Sequence, residues 1–252
     1  MPPKGGESDG KDVIYVTLVD AVSRGGCPIC RAVEKSENSM LWIMLYEHVN
    51  DPHVRERVRR GNGFCAYHFQ KIVEMARSDP LIGGLAPAII VEDLLGRYIE
   101  SVREGTTLET ECFVCSELER VEESYTSSFA SKLDTTDLLT RYESNPGSLL
   151  CYKHYLEVYS RASEPARERL REVQLRKMES LQSLLQSYIA KNDYRFIGTI
   201  TEAEASSWVK AVEAIVGSGW SSHRRHRERQ GRAPPRLLRP LRAHRHPTHP
   251  HR

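Results

Sequence analysis

All six cysteines of the chain fall into four short motifs: CPIC at 27–30, CAYH at 65–68, CFVC at 112–115 and CYKH at 151–154. Cys27 with Cys30, and Cys112 with Cys115, are Cys-x2-Cys pairs; Cys65 with His68, and Cys151 with His154, are Cys-x2-His pairs. This spacing puts two ligand atoms on one tight turn, and zinc takes four tetrahedral ligands from thiolate and imidazole. The eight residues amount to two sets of three cysteines and one histidine, so two zinc ions per chain are expected. Four protein ligands saturate such an ion, whereas a hydrolytic zinc keeps a position for water, so the expected sites are structural. The same thiolates also suit a redox switch in which oxidation expels the metal. Six cysteines could instead form three disulfides, hold an iron–sulfur cluster or stay as unoccupied thiols. A histidine recurring at the same offset, in a chain expected to live in a reducing compartment, argues against disulfides.

The motifs recur with a period. Cys27 and Cys112 are 85 positions apart, while Cys65 to Cys151 and His68 to His154 are each 86, which marks a duplicated unit. A chain-length argument favours closure of each site within its own unit. A helix of roughly 20 residues after Cys30 travels about 30 Å, and a shorter helix with an extended tail returns roughly 27 Å. That holds if the two helices run antiparallel; the crossed arrangement, with Cys27 and Cys30 meeting Cys151 and His154, stays open.

The elements that must position these motifs read as helices. CRAVEKSENSMLWIMLYEHVN has no Gly or Pro and an apolar centre, as a helix surrounded by protein would. Asp51 and Pro52 cap a short helix through HVRERVRR, which GNG stops, and a third helix runs from CAYH through FQKIVEMARS. The second unit repeats this order with CSELERVEESYTSSFASKL, TTDLLTRYES and CYKHYLEVYSRA. A connecting helix over 87–103 has Ile90, Leu94, Leu95, Tyr98 and Val102 at three-to-four spacing. A long amphipathic helix over 164–191 carries Leu170, Val173, Met178, Leu181, Leu185 and Tyr188 on one side, and TEAE at 201–204 is a capping box for a last helix ended by Gly217. VIYVTLV at 13–19 favours strand but could equally open a helix.

The fold expected is therefore mainly α, a helical bundle of two related units with a CxxC…CxxH knuckle each. Its parts are a disordered 1–12, a first unit with the connecting helix over 13–104, a second unit over 105–162, C-terminal helices over 163–220 packing on both, and a disordered Arg/His/Pro-rich tail over 221–252. From Ser221 onward there are ten Arg against Glu228 alone, so residues 1–220 hold 26 basic and 33 acidic groups, and the folded part is acidic. The tail could bind nucleic acid non-specifically by neutralising phosphates. The longest apolar run, MLWIMLY at 40–46, is far short of the roughly 20 residues of a membrane span. With no apolar signal region at the N-terminus, a cytoplasmic protein is expected.

Other chemistry is thinly supported. His48 and His53 flank Pro52 and share no helix face, so they read as surface or helix-end histidines. GNG and LIGGLAP lack the lysine and strand of a phosphate loop, and no catalytic Ser-His-Asp or Cys-His set stands apart from the eight ligands. RERVRR at 55–60 and the acids Glu111, Glu117, Glu119, Glu122 and Glu123 read as solvated faces. The sharper alternative is that the basic flank of one site attracts the acidic flank of the other, in the chain or across a dimer.

CPIC with GFCAYHF, CFVC with CYKHY, NDYRF at 192–196 and SSWVKAVEAIVG at 206–217 together resemble a prokaryotic family, the domain of unknown function 6062. The likeness spans about residues 13–217. It implies an all-helical, cysteine-rich cytoplasmic protein and no established activity. SLLCYKH departs from it, lacking the Gly-Phe that precedes the first CxxH. The function expected is a non-enzymatic binding or scaffold module with an unidentified protein partner; the alternatives are a zinc-thiolate redox sensor and, third, an enzyme with its site elsewhere among the helices.

Overall fold

A computed structural model describes residues 12–196, 198–221 and 223. Of the two segments read as disordered, 1–11 and 224–252 lie outside the described residues. The described chain is helical, with no strand beyond a single bridge between Gly26 and Ser148. Its helices are α1 (Val13–Ser23), α2 (Pro28–Tyr46), α3 (Pro52–Arg60), α4 (Ala66–Ser78), α5 (Leu85–Glu104), α6 (Phe113–Lys132), α7 (Leu138–Ser144), α8 (Tyr152–Arg161), α9 (Glu164–Lys191), α10 (Glu202–Ala205) and α11 (Ser207–Val216). The β-favouring VIYVTLV enters α1, where Asp12 caps the helix by accepting from the Tyr15 amide. No neighbouring strand exists among the described residues to satisfy its backbone, and Leu18, Ala21 and Val22 share one helix face in the core.

The two units are α2-α3-α4 and α6-α7-α8. Asp51 caps α3 through the amides of His53 and Val54 with Pro52 at the first position, and Thr201 with Glu204 closes the capping box of α10. The long helices α2 and α6 pack most extensively on each other, with α1 laid against both. Val33, Leu41, Leu118 and Phe129 from this layer have no more than 1% exposure, and each such side chain contributes about 1.5–3 kcal/mol relative to an exposed one. Contrary to the reading of α2 as enclosed on all sides, Ile43 and Tyr46 are exposed at its end. In α5 the expected stripe divides: Ile90 and Leu94 are buried, whereas Leu95, Tyr98 and Val102 face outward. Helix α9 buries Leu170 and Val173 in its first half, while Leu181, Leu185 and Tyr188 are half-buried and Met178 is exposed.

Two hydrogen bonds show how the units interlock. The Gly26 amide, one residue before CPIC, donates to the Gly147 carbonyl four residues before CYKH, at 2.8 Å. The Glu111 amide, one residue before CFVC, donates to the Gly61 carbonyl four residues before CAYH, at 2.9 Å. The same bond thus forms twice, each time between units. Gly61 permits the second approach, since a Cβ there would stand 2.0 Å from the Glu111 carbonyl oxygen. Lys177 of α9 fastens the turn before CYKH by donating to the carbonyls of Asn145 at 2.6 Å and Ser148 at 2.7 Å, and to that of Tyr142.

Candidate metal centres

All four motifs are built alike. Cys27, Cys65, Cys112 and Cys151 are each the residue that caps a helix, with extended backbone and no side-chain cap bond. The second ligand therefore lies three residues inside, in the first turn. Cap and third position face the same way, so both ligand atoms project beyond the helix start. Amide dipoles at that end favour the thiolate.

The structure brings all eight residues into two clusters and corrects their pairing. Cys27 and Cys30 meet Cys151 and His154; Cys65 and His68 meet Cys112 and Cys115. Neither site closes within its own unit. Chain length does not decide the pairing, because reach is symmetrical: a helix that can return to its own start can also reach its neighbour's. The backbone bonds at Gly26 and Glu111 then select the neighbour.

The distances suit one tetrahedral ion per cluster. With zinc–sulfur bonds of about 2.3 Å and zinc–nitrogen bonds of about 2.0 Å, sulfurs should lie about 3.8 Å apart and sulfur and nitrogen about 3.5 Å apart. The Cys30–Cys151 and Cys65–Cys115 sulfur separations are 3.9 and 3.7 Å. His154 Nδ1 lies 3.3, 3.4 and 3.2 Å from the sulfurs of Cys27, Cys30 and Cys151. His68 Nδ1 lies 3.2, 3.2 and 3.5 Å from those of Cys65, Cys112 and Cys115. A cystine requires about 2.05 Å, and all six cysteines are free.

Charge supports the same occupant. Hydrogen bonds from Cys112 and Cys115 hold Cys65 well below the usual thiol range, and those from Cys27 and Cys30 do the same for Cys151. Burial pushes Cys27 up, and the neighbouring Cys112 pushes Cys115 up. Three crowded sulfurs cannot all ionise on their own; a divalent cation removes the conflict.

Each histidine is oriented from behind by a carboxylate that the sequence reading did not assign to a site. His154 Nε2 lies 2.9 Å from Oε1 of Glu122, which also accepts from Ser221 at 2.8 Å, while Lys153 holds the other oxygen at 2.7 Å. His68 Nε2 lies 3.1 Å from Oε1 of Glu37, whose other oxygen is held by Lys71. The hydrogen bond to Glu122 fixes the His154 tautomer, with the proton on Nε2 and the Nδ1 lone pair toward the cluster, while Glu37 stands in the equivalent place behind His68 as a close ion-pair partner. Glu122, grouped with solvated acids in the sequence, is 2% exposed and Glu37 is 0% exposed. The signal was present: each lies seven residues after the second cysteine of its CxxC motif.

These carboxylates are also cross-wired. Helix α2 starts in one centre with Cys27 and Cys30 and, two turns on, sends Glu37 to the histidine of the other; α6 does the reverse with Cys112, Cys115 and Glu122. The two helices therefore run in opposite directions between the centres. Glu122→Gln should lower metal affinity about 10–100-fold at the Cys27 centre while sparing the Cys112 centre at the head of its own helix. Chelator competition resolved by site is the measurement.

The flanking charges meet within the chain where Arg57 bonds Glu117 at 2.5 Å, with its guanidinium over the Phe113 ring. Arg55 and Arg59 turn instead to Asp93 of α5. His48 and His53 are exposed and belong to neither cluster.

This fold and its two buried Cys3His groups define an all-helical protein built from a cross-connected repeat, able to hold two metal ions. Residues 11–107 and 95–219 match a family described as one of unknown function, DUF6062, and the chain belongs to that family. It is also 28% identical over 210 residues to an uncharacterized 23.9 kDa protein in the xynA 3' region of Caldicellulosiruptor sp. (strain Rt8B.4), a match covering 80% of this chain and all of that protein. No solved structure matches the chain.

Proposed function

We propose that this is a non-enzymatic, cytoplasmic scaffold or binding protein whose two Cys3His centres each hold a structural zinc ion. The observation that carries the reading is the crossing. Each ion would clamp the start of one unit's long helix to the CxxH helix of the other unit, so the metals fasten the halves of the chain together. Cys27, Cys30, Cys151 and His154 would ligate one ion, and Cys65, His68, Cys112 and Cys115 the other. Four protein ligands complete a tetrahedron without a position for water, which suits a structural role. So compact a ligand set fits one ion and is too tight for a multi-iron cluster. Zinc would supply a cross-link that tolerates a reducing compartment, where disulfides do not persist.

An open groove of about 430 Å³ between α1 and α2 is lined by Asp20, Arg24, Arg31, Glu34 and Lys35 among others, and these charges pair with one another. None of the described helices is long and apolar enough to cross a membrane. Elemental analysis of the purified chain is expected to give about two zinc per chain, retained through dialysis without chelator. A metal-free, fully folded chain would remove the reading.

A further inference from the structure

The two centres are alike in plan but not in protection. Cys27, Cys30, Cys112, Cys115 and Cys151 are 0–4% exposed, and Cys65 alone is half-buried. Its counterpart Cys151 has no exposure at all. The histidine beside Cys65 is also held less well. His154 makes an aligned hydrogen bond to Glu122, whereas His68 Nε2 and Glu37 Oε1 are 3.1 Å apart but too poorly aligned to make one. Over Cys65 lies a residue with no equivalent at the other centre among the described residues. His223 stacks on Tyr67, with ring centroids 4.6 Å apart, and its Nε2 is 4.0 Å from the Cys65 sulfur. His223 sits three residues after the fully buried Trp220, so the chain that seals one centre through Ser221 only shades the other.

We propose that the Cys65–His68–Cys112–Cys115 centre is a peroxide-reactive site, with Cys65 the sulfur that attacks the peroxide, Cys115 the sulfur that resolves it and His223 the cover that limits access. The proposal rests on the zinc reading above. Reactivity of cysteine sulfurs follows exposure, and among the six only Cys65 has an open side. The Cys65 thiolate attacks one oxygen of a hydroperoxide; a sulfur–oxygen bond forms, the oxygen–oxygen bond breaks, and alkoxide or hydroxide departs. The Cys115 thiolate, 3.7 Å away, then attacks the Cys65 sulfenic acid, forming a disulfide and releasing hydroxide. The two sulfurs supply the two electrons that the peroxide gains, and the ion loses two of its four ligands. The Cys27 centre, closed on every sulfur, keeps its metal and holds part of the clamp.

The test uses the full-length, zinc-loaded chain. Zinc is measured first; a preparation that carries none defeats the metal reading and this inference with it. Dilute hydrogen peroxide is then added with a colorimetric zinc indicator, and cysteines are mapped by mass spectrometry after quenching. The expected result is release of about one ion in a first phase, with a Cys65–Cys115 disulfide and with Cys27, Cys30 and Cys151 unoxidised. His223→Ala should speed that phase several-fold without changing the starting zinc content. Simultaneous loss of both ions, or first oxidation at Cys27, Cys30 or Cys151, overturns the proposal with zinc demonstrably present. A first phase unaltered in His223→Ala overturns the part given to His223.

Discussion

Changing Cys27 and Cys65 to serine together is expected to leave the chain with almost no zinc, although both residues lie in the same repeat. Changing Cys27 and Cys151 together, one from each repeat, should leave about one ion per chain. Closure within repeats predicts the opposite pair of results, so two double variants and a metal analysis decide between the topologies. The physical basis is that Cys27 and Cys151 share one ligand cluster while Cys65 belongs to the other. Once one thiolate of a set is gone, removing a second from the same set costs little further metal. Cobalt substitution gives an independent reading, because its thiolate absorption would fall by half in one variant and vanish in the other.

Stripping the metal should cost far more stability than any single core substitution. Binding of a structural zinc is worth about 10–16 kcal/mol of apparent free energy at neutral pH in small zinc modules, against a total stability of about 5–15 kcal/mol for an ordinary domain. Without the ions, three sulfurs at each centre crowd together with no cation between them. Chelation is therefore expected to lower the melting temperature by tens of degrees and to expose the α2–α6 layer. Circular dichroism and hydrogen exchange check this, and readdition of zinc should restore the signal.

The pH dependence has a definite sign. Burial alone would lower the His68 pKa, but the sulfurs of Cys112 and Cys65 and the Glu37 carboxylate together raise it to about 11 in the absence of metal. For the metal-free fold, that interaction contributes fully below the ordinary value of 6.5 and fades as pH climbs toward 11. Metal binding runs the other way, since the ion must displace the Nδ1 proton. Affinity should rise about tenfold per pH unit for each proton released, so chelators strip the chain more easily in mild acid than in mild base.

Much of this molecule was legible in the linear order of its residues. Cys-x2-Cys and Cys-x2-His name their own chemistry, because a three-residue step brings the cap and the first turn of a helix to one side whatever lies around them. The Asp51-Pro52 cap, the Thr201-Glu204 box and the glycine stop at 217 are likewise local, set by backbone donors a few residues away. The family match over 11–107 and 95–219 reflects the same duplicated plan. Glu37 and Glu122 were visible as a repeated offset, but their burial was not, since a carboxylate in a run of charges looks solvated until a histidine is placed behind it.

What tertiary structure alone decided was the partner of each half-site. Two units of equal reach can close on themselves or on each other, and nothing in ligand spacing distinguishes the outcomes. The choice falls to contacts distant in sequence: the amides of Gly26 and Glu111 bonding across to Gly147 and Gly61, and the opposed packing of α2 on α6. The unequal shielding of Cys65 and Cys151 arises in the same way, from where the chain after Gly217 lies against the two centres.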